Sequence, residues 1–127
     1  FSGKYTAGEV RKMLAGHGGL VAYTGSNDMR DLLKAAAEGD KEIAATVEAF
    51  HYQIGKEVGA MAAVMKGKVD QIILTGGIAY GQETVDAITD MVGWIAPITV
   101  YPGEDELLAL AQGALRVLNG EEPARVY

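Results

Sequence analysis

The sequence predicts an α/β fold of mostly parallel strands covered by helices. Three observations point there. Two short runs rich in Val and Ile, at 69–74 and 98–101, are each closed by a turn signal, Thr75-Gly76-Gly77 and Pro102-Gly103. Helical patterns follow both runs, so the last ~60 residues alternate strand and helix as a parallel sheet with crossover helices requires. Upstream, apolar residues recur at steps of three and four from Val47 to Met65, giving a long helix with one side to bury.

Taken in order, Thr6 and Glu9 have capping-box spacing and open a short helix through about Ala15, with Val10, Met13 and Leu14 on one side. Gly16 and Gly18-Gly19 end it. Residues 20–24 read as a short strand, and the turn 25–28 leads into a helix over 29–38. Gly39 breaks that helix and Asp40 caps the long one, which runs to about Met65 with Val47, Phe50, Ile54, Val58, Met61 and Met65 as its stripe. Gly55 and Gly59 weaken a helix interior by about 1 kcal/mol each, so a close neighbour is expected on their face. Helices over 82–92 and 105–118 follow the two strands, the second with a broad leucine-rich face, and residues 121–127 read as a tail.

Composition narrows the function. The chain has 127 residues, 11 Lys and Arg against 17 Asp and Glu, and a net charge of −6, which suits one domain and argues against a nucleic-acid partner. Its apolar stretches are too short to span a membrane. With no cysteine there is no disulfide framework, thiolate metal site or thiol nucleophile, and a reducing compartment fits. The first residue is Phe1 rather than Met, which suggests a processed product or a piece of a longer protein.

Three clusters could carry chemistry. Thr75-Gly76-Gly77-Ile78-Ala79 lies between a strand and a helix, where open α/β sheets bind ligands and where glycine lets the backbone approach a phosphate. It matches neither G-x-x-x-x-G-K-[ST] nor G-x-G-x-x-G, so a plain tight turn stands beside the nucleotide reading. Ser26-Asn27-Asp28-Met29-Arg30 supplies helix caps, or alternatively a planar cation at Arg30 for stacking and a carboxylate at Asp28 for orienting a polar ring. Glu104, Asp105 and Glu106 complement a helix dipole, or offer Mg²⁺ one hard carboxylate with waters. His17 and His51 lack companions for a transition-metal site and read as structural or solvent-facing.

The order of several stretches is more specific than any one of them. Phe1-Ser2-Gly3-Lys4-Tyr5-Thr6, Gly18-Gly19-Leu20-Val21-Ala22-Tyr23, Asn27-Asp28-Met29-Arg30 and Phe50-His51-Tyr52-Gln53-Ile54 come first. Leu74-Thr75-Gly76-Gly77-Ile78-Ala79-Tyr80, Tyr101-Pro102-Gly103-Glu104-Asp105-Glu106-Leu107 and Gly113-Ala114-Leu115-Arg116-Val117-Leu118 follow. Together they resemble the acetate and butyrate kinase family, in its C-terminal part and on its butyrate branch. The glycine loop continues as Gly77-Ile78-Ala79-Tyr80-Gly81 where acetate kinases have Gly-Ile-Gly-Glu-Asn, which favours that branch and leaves the Asn-type nucleotide contact open.

The resemblance implies the ribonuclease-H-like fold shared with actin, sugar kinases and heat-shock ATPases, here as a partial domain. Residues 1–127 would be the C-terminal nucleotide-binding domain of a two-domain kinase whose N-terminal domain is absent. It implies reversible transfer of the ATP γ-phosphate to butanoate, giving butanoyl phosphate and ADP, with ATP/ADP and Mg²⁺ as cofactors. A cytoplasmic, homo-oligomeric whole protein acting on a short-chain carboxylate or acyl phosphate goes with it. By position, Gly76, Gly77, Ile78 and Ala79 match the loop around adenosine and phosphates, and Asp28, Met29 and Arg30 the turn on the adenine side. Asp105 matches the family's metal-side carboxylate, with Glu104 and Glu106 as alternative registers. No catalytic residue is assigned: the family's catalytic arginines and aspartate would precede Phe1, so the 127-residue chain alone is expected to be inactive. The competing reading is a stand-alone α/β binding or assembly module derived from such a kinase.

Overall fold

The computed structural model describes residues 3–125. Phe1 and Ser2, which open the first matching stretch, and the last two residues of the expected tail lie outside the described residues. Helix α4 (Lys41–Val64) is the spine on which three other helices assemble. Asp40 caps it through Oδ1, which accepts the Glu42 and Ile43 amides at 3.1 and 3.0 Å. Helices α2 (Leu20–Thr24) and α3 (Met29–Ala37) pack on its first half, where Met29, Leu32 and Val47 form a buried cluster with Leu20, Leu33, Ile43 and Phe50 around it. Helix α5 (Gln82–Val92) packs farther along, where Ile54 and Val58 join a second cluster of Ile72, Ile88, Val92 and Ala96.

The shielded line on α4 shares Val47 with the expected stripe and departs from it beyond that point. It runs through Val47, His51, Gly55 and Ala62, while Phe50, Ile54 and Val58 are half-buried and Met61 and Met65 are exposed. Packing from two sides explains the offset, because the most enclosed positions lie between the two contacts. Gly55 meets the expected close neighbour: a Cβ there would stand 2.6 Å from Met91 Cε. At Gly59 nothing lies within 4 Å, so its glycine is not explained by packing among the described residues.

Strands β1 (Ile72–Gly76) and β2 (Ile98–Pro102) form a parallel two-stranded sheet with Ile72 opposite Ile98 and Gly76 opposite Pro102. Parallel pairing with α5 as the crossover bears out the α/β expectation. β1 starts later than 69–74 because the ladder begins where Pro97 O accepts the Ile72 amide at 2.9 Å, and it extends through Thr75 and Gly76. A tight 3-10 turn, Gly77–Tyr80, then leads into α5.

Residues 20–24 are a helical turn, not a strand. Gly19 (φ 58°) and Gly25 (φ 75°) bracket it, and Thr24 Oγ1 donates to Leu20 O at 2.8 Å across the turn. Five residues carry no usable period, so the packing of Leu20 against α4 decides. Helix α1 (Ala7–Leu14) has the full capping box, with Thr6 N donating to Glu9 Oε2 at 2.7 Å and Glu9 N to Thr6 Oγ1 at 3.3 Å. Helix α6 (Glu106–Leu118) forms with Asp105 as its N-cap, but its leucine face is uncovered and Leu107 is 85% exposed. No helix of the described residues is long and apolar enough to cross a membrane.

Candidate functional site

A groove of about 760 Å³ lies between the start of α3 and the turn that follows β1. Asn27, Asp28, Met29, Arg30 and Leu33 make one wall, and Gly77, Ile78, Tyr80 and Gly81 the other. Two clusters far apart in sequence thus meet at one place, beyond the carboxyl end of β1 as open α/β sheets arrange their ligand sites.

The first wall begins with a self-braced loop. Ser26 N donates to Thr24 Oγ1 at 3.2 Å, and Asp28 N donates to Ser26 Oγ at 3.1 Å. Asp28 caps α3 by accepting the Arg30 amide at Oδ1 (3.0 Å), and the same carboxylate takes Arg30 Nε at Oδ1 (3.0 Å) and Nη2 at Oδ2 (2.5 Å). The guanidinium hydrogen bonds, followed by the amide, hold the Asp28 carboxyl down at about 2, and the pairing raises Arg30 above its ordinary value. Arg30 is thereby fixed along one edge while its side chain stays 89% exposed, leaving the flat faces of a planar cation free. Met29 is buried below and anchors the wall in the α3–α4 cluster.

The second wall is backbone. Gly76 has φ 86° and ψ 176°, a conformation essentially restricted to glycine. It is locked to the next loop by two bonds, Gly76 N to Gly103 O at 3.2 Å and Gly103 N to Gly76 O at 3.0 Å. Nothing lies within 4 Å of where a Cβ on Gly77 would be, so the chain there faces open space. Gly81 starts α5 without a side-chain cap, which leaves first-turn amides available to an anion.

Of the residues singled out from sequence, Asp28, Met29, Arg30, Gly77 and Ile78 line the groove. Gly76 and Ala79 do not: Ala79 is buried beneath the turn, and Gly76 faces the acidic loop, where Glu104 Oε1 comes within 3.7 Å of its Cβ position. The three acids diverge. Asp105 is the N-cap of α6 without a capping hydrogen bond, and Glu106 lines a shallow depression along α6 with Ala109 and Gly113. Among the described residues no three His, Cys, Asp or Glu side chains converge as a metal cage. A lone carboxylate such as that of Glu104 could serve Mg²⁺ only with waters and phosphate oxygens completing the shell.

Tyr80 and Gly81 also line the groove and were not singled out. Their signal was the departure from Gly-Ile-Gly-Glu-Asn; in the fold the Tyr80 phenol lies on Gly103, where a Cβ would sit 2.6 Å from Tyr80 Oη. Of the two readings of His51, structural or solvent-facing, the structural one holds: it is buried, its Nε2 3.0 Å from Thr84 Oγ1, a partner the sequence did not indicate. Burial lowers its pKa. A separate depression of about 500 Å³ along α4, bordered by Ile54, Val58, Met61 and Ile95, is almost wholly apolar and lacks convergent polar groups.

The acetokinase family model matches residues 2–115. Over all 127 residues the chain is 55% identical to probable butyrate kinase 2 of Caldanaerobacter subterraneus subsp. tengcongensis. It is 56% and 54% identical, over the same length, to butyrate kinases 2 and 1 of Clostridium acetobutylicum. It spans 36% of the length of each of these curated relatives. Among solved structures, acetate kinase of Porphyromonas gingivalis superposes with a TM-score of 0.78 over 92% of this chain and 36% of its own, at 21% identity, a likeness of fold.

Proposed function

Because the chain belongs to the acetokinase family, we propose that it is the nucleotide-side portion of a butyrate kinase, forming the C-terminal nucleotide-binding domain of a two-domain enzyme. The observation that carries this reading is the meeting of the 28–30 and 77–78 clusters in one groove. The relatives' names supply the acceptor: the whole enzyme would move the γ-phosphate of ATP reversibly to butanoate, giving butanoyl phosphate and ADP.

In this assignment the adenine lies against the exposed face of Arg30, which Asp28 holds in one orientation. The phosphates run towards Gly77 and Ile78, where the missing Cβ lets them approach the main chain. Mg²⁺ would neutralise phosphate charge, and of Glu104, Asp105 and Glu106 the geometry favours Glu104, whose carboxylate stands beside Gly76. Phosphoryl transfer needs charge neutralisation and in-line positioning more than covalent chemistry. The catalytic arginines and aspartate and the carboxylate pocket are assigned to the portion of the relatives that this chain does not span. The 127-residue chain would thus bind nucleotide without turning it over. A cytoplasmic, homo-oligomeric whole protein belongs to the same proposal.

Calorimetric titration of the chain with ADP and Mg²⁺ tests it. Arg30→Ala should weaken binding roughly tenfold, the scale of a lost cation–π and polar contact. Equal binding by the two chains would remove Arg30 from the site, and no binding by the parent would remove the nucleotide reading. A second reading, an assembly module derived from such a kinase, rests on the uncovered leucine face of α6. Stable self-association with no ADP uptake would favour it.

A further inference from the structure

We propose that His51 is a positioning residue for the groove: through the Thr84 hydroxyl it holds Gly81, the point where the glycine turn becomes α5. This rests on the nucleotide reading of the groove. His51 is 8% exposed and Thr84 1%, and their 3.0 Å contact is the one side-chain hydrogen bond between α4 and α5 among the described residues. Elsewhere the two helices meet through apolar atoms, with Met91 against Gly55 and Ile88 and Val92 in the cluster that takes in Ile54. A polar link placed only at the first turn of α5 acts where the groove wall begins.

The link continues to the wall without a break. Thr84 N and Val85 N both donate to Gly81 O at 3.1 Å, and Gly81 N donates to Ile78 O at 3.0 Å. The Thr84 hydroxyl is also 3.8 Å from the Cβ position of Gly81, directly behind the wall. On its other side His51 meets the edge of Phe50, ring centroids 5.9 Å apart, and Phe50 packs on the cluster that seats Met29 and Leu32. His51 therefore stands between the supports of both walls. An imidazole is costly to bury there unless its ring nitrogen is satisfied, and the threonine hydroxyl satisfies it.

The pair Thr84→Val and Thr84→Ser separates positioning from filling space. Valine keeps the shape and loses the hydroxyl, whereas serine keeps the hydroxyl. Thr84→Val should weaken ADP binding about fivefold, the scale of one buried hydrogen bond. Amide exchange at Gly81 should quicken roughly tenfold relative to Ile54 in mid-α4, a local opening rather than a global one. Thr84→Ser and His51→Gln, whose amide reaches the Nε2 position, should stay within about twofold of the parent on both readouts. Parent-like Gly81 exchange in Thr84→Val overturns the proposal, as does a serine variant no better than valine. If the parent takes up no ADP the nucleotide reading falls, and Gly81 exchange alone still decides whether His51 and Thr84 hold the turn. Should His51→Gln not fold, the threonine pair gives the answer.

Discussion

The two walls of the groove face the same space but are built from different material. At 28–30 the wall is side chain, one carboxylate capping a helix and gripping a guanidinium at the surface. At 77–78 and 80–81 it is backbone, a glycine-bounded turn suspended between a parallel ladder and the start of α5. The first wall answers to charge, pH and salt, because its parts are ionised and solvated. The second answers to bulk, because a single Cβ alters what it can do. Together they suit a ligand with a flat ring at one end and anionic groups at the other.

The strongest way to break that contrast is Gly76→Val. At φ 86° and ψ 176° a β-branched residue is strained, and the position also carries the reciprocal bonds to Gly103. A loss of about 1–3 kcal/mol is expected, read as a lower urea midpoint with an unchanged slope. An unchanged midpoint would mean the turn adapts freely, and the backbone wall would be no stiffer than the side-chain one.

Acid should separate the supports in two windows. His51 has a lowered folded pKa from burial, so as pH falls the unfolded chain takes up its proton first. Its contribution is whole above the usual imidazole range near 6.5 and is lost as pH falls from there toward the folded value. Asp28 is depressed to about 2 from 3.8, so its contribution is whole above the usual carboxylate range and is lost as pH falls toward 2. This second effect is the smaller, since the pair with Arg30 is solvent-screened. Thermal midpoints followed from pH 8 to 2 should show both slopes. His51→Gln should flatten only the upper one, and a slope that persists in that variant would assign it to another group.

How much of this was written in the sequence follows the reach of each signal. Local ones were legible: Thr6 with Glu9, Asp40 at the head of α4, and Asp28 before α3 are caps whose partners lie within three residues. The strand–turn–helix order around Gly76-Gly77 was also legible, and with it most of the groove. The start of β1 was not, because Val69 and Ile72 both suit a strand and only the distant Pro97 decides where the ladder begins. Residues 20–24 failed for lack of a period. The apolar stripe on α4 predicted burial and Val47 is buried, yet His51 and Gly55 are buried too, and their fitness comes from Thr84 and Met91, remote in the chain. On α6 the leucines state a capacity for burial and nothing about what meets it.

The smallest expected change in stability is the most informative about the backbone wall. Gly77 begins the 3-10 turn outside the left-handed region, and its Cβ position is empty. Gly77→Ala should therefore shift stability by no more than about 0.5 kcal/mol, with any gain coming from the reduced freedom of the unfolded chain. Under the proposed nucleotide reading its methyl would nonetheless stand in the space through which the ligand approaches the main chain. ADP affinity should fall roughly tenfold, or ~1.4 kcal/mol, with the urea midpoint in place. That split distinguishes a glycine kept for a ligand from one kept for a turn. If alanine leaves both stability and ADP binding untouched, the glycine wall is only a turn, and recognition must rest on the Asp28–Arg30 wall alone.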